Sequence, residues 1–70
     1  MEMNLDDALS VVYSCYCSVS DGQIGADDDQ VGCYSYPLAE KIKDMTGIEP
    51  ICTESSTLSD VALSLMDSAA

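Results

Sequence analysis

The side chains able to do chemistry in this chain are four cysteines, thirteen carboxylates and four tyrosines. Histidine and arginine are absent, and Lys41 and Lys43 are the only basic residues. A serine or cysteine nucleophile therefore lacks its usual general base. No guanidinium is present to clamp a phosphate or carboxylate. Cysteine with lysine, or two paired carboxylates, are the remaining catalytic options, and 70 residues hardly build a closed pocket around either. No catalytic residue is assigned, and a protein that performs no chemistry is expected.

Metal chemistry is equally poorly supplied. Structural zinc sites bring cysteines in knuckles with two to four residues between them. Cys15 and Cys17 have one residue between them, inside a predicted helix where such neighbours point to nearly opposite sides. Cys33 and Cys52 stand alone. Cys15 is expected in the core and Cys17 near the surface. The loop Asp21-Gly22-Gln23-Ile24 resembles the middle of an EF-hand calcium loop. Placing Gly22 at the glycine turn, however, puts Cys17 and Val19 where the first two carboxylates belong. An acyl carrier protein needs an Asp-Ser pair at a helix start; after Gly25-Ala26-Asp27 the serine's place is taken by Asp28. No metal and no cofactor are assigned.

Charge carries more information. The formal net charge is −11. A surface this negative repels nucleic acid and anionic membranes, and attracts cationic proteins over long range. Solubility alone needs a net charge of about 2–8 in a small domain. The excess costs stability through self-repulsion, which favours a role in binding.

The elements that position these groups follow from periodicity and punctuation. An apolar content of 47% argues for a folded domain. The first helix is predicted over 5–19, capped by Asn4, with Asp7 three residues on and Asp6 and Asp7 at the positive end of its dipole. Leu5, Ala8, Leu9, Val12, Cys15 or Tyr16, and Val19 form its apolar face. Residues 20–32 read as an acidic loop, and Ile24 and Val31 flanking Asp27-Asp28-Asp29 suggest a short hairpin. Pro37 is placed at the first position of a second helix over 37–46, capped by Ser35 or Tyr36, with Leu38, Ile42 and Met45 facing one way. Gly47 suits a left-handed cap, with Ile48 folded back onto the last turn. Glu49-Pro50 forces extended backbone, so 48–53 is a connector or short strand. Thr57 caps a third helix over 58–68 with Asp60 as its capping partner. Leu58, Val61, Ala62 and Leu65 form its stripe, widened by Leu63 and Met66, and it frays at Ser68-Ala69-Ala70. The expected fold is mainly α: one compact three-helix domain spanning residues 1–70, with room for a short two-stranded β-ribbon.

The residues Met1-Glu2-Met3-Asn4 lack the basic start of a signal peptide, and no apolar run reaches membrane-spanning length. A cytoplasmic location with reduced thiols is therefore expected; two disulfides are the alternative a small fold would favour. Candidate partner-binding residues are Asp21, Asp27, Asp28, Asp29, Glu49 and Glu54, displayed on turns and caps. Tyr34 and Tyr36 beside the acidic loop are further contact candidates, with core packing the alternative for both.

In size, acidity and compactness the chain resembles the small phage-encoded inhibitors called anti-CRISPR proteins, and other phage DNA mimics. That resemblance implies an inhibitor acting in the host-cell cytoplasm. It would occupy the lysine- and arginine-lined nucleic-acid channel of a CRISPR effector complex, with Asp21, Asp27, Asp28, Asp29, Glu49 and Glu54 standing in for phosphates. It implies no direct contact with nucleic acid or membrane. The alternative is a small helical protein–protein adaptor that docks through its apolar stripes, a homodimer included, with its charge serving solubility only.

Overall fold

The structure is a computed structural model that describes residues 3–69. Helix α1 spans Leu5–Val19. The Asn4 side chain accepts a hydrogen bond from the Asp7 backbone N–H at 2.8 Å, and Asp6 and Asp7 occupy the first turn. Ala8, Val12, Cys15 and Tyr16 are buried along one face. Leu5, in the terminal turn, stays largely exposed.

At the other end of α1 the Ser20 N–H donates to the Tyr16 carbonyl and the Gly22 N–H to the Cys17 carbonyl. This paired closure places Asp21 at φ 63°, a left-handed conformation usually given to glycine. The Asp21 carboxylate also stands at the negative end of the helix dipole. Both effects cost stability. Asp21→Gly is therefore expected to stabilise the fold by about 0.5–1 kcal/mol, once the extra freedom of an unfolded glycine is set against the relief. A thermal melt measures this; an unchanged or lower melting temperature would show that the Asp21 side chain supports the turn.

A single 3-10 turn, Gly32–Tyr34, runs directly into helix α2, Ser35–Thr46. Pro37 thus occupies the third helical position rather than the first, and no side chain caps the helix. The first-turn N–H groups lack intrahelical partners, so proline costs nothing at either place. Leu38 and Ile42 are buried, whereas Met45 is half exposed with its sulfur 3.9 Å from Cys15 Sγ. Gly47 ends the helix at φ 78° and donates its N–H to the Lys43 carbonyl at 2.7 Å. Thr46 Oγ1 donates to the Ile42 carbonyl and accepts from the Ile48 N–H, turning Ile48 back against the core.

Helix α3 spans Leu58–Ala69, so its last turn persists past Ser68; Ala70 lies outside the described residues. Thr57 and Asp60 form a reciprocal capping box at 3.1 Å in both directions. Leu58, Val61, Ala62 and Leu65 are fully buried, while Leu63 remains exposed and Met66 partly so. Each buried leucine or valine contributes about 1.5–3 kcal/mol by its removal from water.

Helix α1 lies against both α2 and α3, which scarcely touch each other. The extended connector 48–53 leaves α2, buries Pro50 and donates the Ile51 N–H to Ser64 Oγ on α3 at 2.8 Å. It forms no strand.

The acidic loop does not pair with itself as a hairpin. It pairs with the residues before α3: Gln30 and Thr57 form an isolated antiparallel bridge, the one trace of the expected ribbon among the described residues. The exposed first-turn N–H groups of α3 offer partners that a free hairpin lacks. Asp29 and Asp27 backbone carbonyls accept from the Leu58 and Ser59 N–H groups at 3.1 and 3.0 Å. Val31 and Gly32 N–H groups donate to the Ser56 and Glu54 carbonyls. Val31 is consequently buried, while Ile24 projects into solvent.

Candidate functional surface

Every acidic side chain among the described residues is exposed. Only three have a partner in the fold. Asp29 Oδ2 accepts from the Ala26 N–H at 2.9 Å, Asp60 Oδ2 belongs to the capping box, and Glu49 pairs with Lys43 at 3.6 Å. The others serve no internal contact, and several stand where the fold would do better without them. Asp21 is one case; Asp44 and Asp67, in the last turns of α2 and α3, are others, since they stand at the negative end of a helix dipole.

The tethering of the loop explains how one cluster forms. Backbone carbonyls of Asp27 and Asp29 face α3, so the Asp27 and Asp28 carboxylates are free to face solvent. The Gly32–Glu54 hydrogen bond brings Glu54 to the same end of the molecule. Asp60, in the first turn of α3, completes it. In the sequence Asp60 is visible as a capping residue and one surface acid among many; the folding of loop onto helix is what brings it near Asp27–Asp29.

A second group lies along α2. A shallow groove of about 310 Å³ is lined by Tyr36, Ala39, Glu40, Lys43, Asp44 and Glu49. Tyr36 and Glu49 therefore belong together, but away from the loop cluster's hydrogen bonds. Asp21 makes no side-chain hydrogen bond to either group among the described residues. Tyr34 is half buried and meets Tyr16 edge to face, centroids 5.7 Å apart at 83°, which makes it a packing residue. Tyr36 is 77% exposed, which keeps it available for contact.

No family of proteins, no curated protein and no solved structure matches this chain.

The cysteines offer little reactivity where they are covered. Burial pushes the Cys15 thiol above its ordinary value, a shift partly opposed by Lys41, and burial pushes Cys52 up likewise. Both are held as neutral thiols at neutral pH, and the thiolate is the form that attacks or binds metal. Cys17 and Cys33 are exposed and all four are unpaired. Among the described residues no group of three or more Cys, Asp or Glu side chains is placed to hold a metal ion. No helix there is long and apolar enough to cross a membrane.

Proposed function

We propose that this protein is a non-catalytic inhibitor that binds a basic nucleic-acid-binding surface by presenting carboxylates in place of phosphates. One observation supports this above the rest: nine of the twelve carboxylates among the described residues have no partner in the fold, and several are kept at helix C-terminal ends where they lower stability. A domain that needed charge only for solubility could place those charges at helix N-termini, where they stabilise. The resemblance to anti-CRISPR proteins makes a CRISPR effector complex, met in the cytoplasm of a bacterial host, the favoured partner.

Leu5, Met45 and Leu63, stripe residues left 40%, 52% and 45% exposed, favour a second reading. They are apolar anchors of the kind a helical adaptor would use.

Salt separates the two. Exposed charges are screened beyond about 8 Å at physiological ionic strength, so mimicry should weaken steeply between about 0.1 and 0.5 M salt. Affinity capture from bacterial lysate at those two concentrations, read by mass spectrometry, is the test. A nucleic-acid-binding complex held at low salt and released at high salt is expected. A salt-resistant partner, or self-association alone, would overturn mimicry in favour of the adaptor.

A further inference from the structure

The groove on α2 differs in kind from the loop cluster. Tyr36, Glu40, Lys43 and Asp44 recur at helical spacing on one face of α2, and Glu49 closes the far wall from the connector. Lys43, the one cation in that wall, is drawn to Glu49 at 3.6 Å. That pairing leaves Glu40 and Asp44 as the unneutralised charges of the groove. They also form the wall shared with a second shallow groove, lined by Val19, Pro37, Glu40, Lys41 and Asp44. At one end stands the Tyr36 ring, 77% exposed and without an aromatic neighbour among the described residues.

An exposed aromatic face with an acceptor carboxylate one turn away, and a second beyond it, is complementary to one side-chain chemistry. A guanidinium is planar, stacks on a tyrosine face and donates in a fork to carboxylates. An ammonium satisfies the charge but not the stacking. We infer that the α2 groove seats an arginine side chain of the protein partner, with Tyr36 as the platform and Glu40, one helical turn on, as the acceptor, while Asp44, a further turn away, adds attraction along the groove. The inference rests on the proposal of a basic partner and names a contact centre within it. It places the specificity of docking on α2, while the loop cluster contributes long-range attraction.

The test is a titration of the protein, at about 0.05 M salt, with an alternating arginine–glycine octapeptide and its lysine–glycine counterpart. Backbone amide shifts are followed by NMR. The arginine peptide should shift Tyr36, Glu40, Lys43, Asp44 and Glu49 most, and should bind more tightly than the lysine peptide. Tyr36→Leu should weaken it about three- to fivefold, in line with an exposed cation–π contact. Glu40→Gln with Asp44→Asn should weaken it about three- to tenfold. These side chains are exposed, so the variants should fold, and their amide spectra check that directly. Shifts confined to Asp27–Asp29 and Glu54, or equal binding of both peptides with no effect of Tyr36→Leu, would overturn the groove while leaving the acidic-mimic proposal standing. Absence of any shift with either peptide would overturn both.

Discussion

Gly25→Ala is expected to destabilise the fold by about 1–3 kcal/mol, although the substituted side chain is a single methyl. A Cβ at this position would stand 2.6 Å from Leu58 Cδ1 and 3.3 Å from Tyr16 Cε2. Leu58 is fully buried and Tyr16 nearly so, which leaves neither room to swing aside. Alanine would also reduce the freedom of the unfolded chain, a gain of about 0.4–1 kcal/mol, but only where the native site accepts the methyl without strain. Here the clash is the larger effect. Thermal unfolding should show a fall of about 5–20 °C in the melting temperature. Leu58→Val shortens the opposing side chain and should cost less in the alanine background than in the wild type, a coupling that a double-mutant cycle measures. An unchanged melting temperature for Gly25→Ala would mean that Leu58 repacks freely, and that the acidic loop is less tightly seated than its packing indicates.

The second large effect concerns binding. Asp27→Lys and Asp28→Lys combined with Asp29→Asn should weaken the partner complex about 3- to 150-fold at about 0.1 M salt, at about 0.2–1 kcal/mol for each exposed carboxylate neutralised or inverted. The design spares the fold. The loop is held by the backbone carbonyls of Asp27 and Asp29, and an asparagine oxygen at position 29 can still accept from the Ala26 N–H. Less self-repulsion is set against lost attraction to the positive end of α3, so the melting temperature should change little in either direction. The gap in affinity should narrow as salt rises, since screening removes from the wild type what substitution removes from the variant. Binding within about twofold of wild type at low salt would exclude the loop from the contact.

What could be read from the chain alone was what forms within four residues. Asn4 with the Asp7 N–H, Gly47 after Thr46, and Thr57 with Asp60 are local arrangements, and each is present in the structure. The stripes of α1 and α3 were legible because a helix repeats its face every three to four residues. Which stripe residues stay wet was not. Leu5, Met45 and Leu63 share the periodicity of their buried neighbours, and only the way helices cross determines the ones left uncovered. Asp21 looked like a turn residue, but its left-handed backbone follows from the closure of α1 around it, with glycine one place later than that closure would favour. The pairing of the loop with residues 54–59 joins segments about thirty residues apart, beyond any local signal. The candidate surface divides in the same way. Exposure of Asp27 and Asp28 followed from composition, and Tyr36, Glu40 and Asp44 share a face by helical spacing, whereas Glu49 joins them only once the connector brings it to Lys43.

The four backbone hydrogen bonds between the loop and residues 54–59, two of them to the first turn of α3, carry one further consequence. Releasing residues 27–32 would strip the Leu58 and Ser59 N–H groups of their acceptors, so the loop cannot lift without loosening the first turn of the helix. The two segments should open as one unit, and the amides of Val31, Gly32, Leu58 and Ser59 should exchange with solvent at a common rate. The carboxylates at this end are thus arrayed on a backbone that is rigid before any partner arrives. A flexible acidic tail of the same charge would lose conformational freedom on docking, and this end of the molecule would meet its partner without that entropic cost.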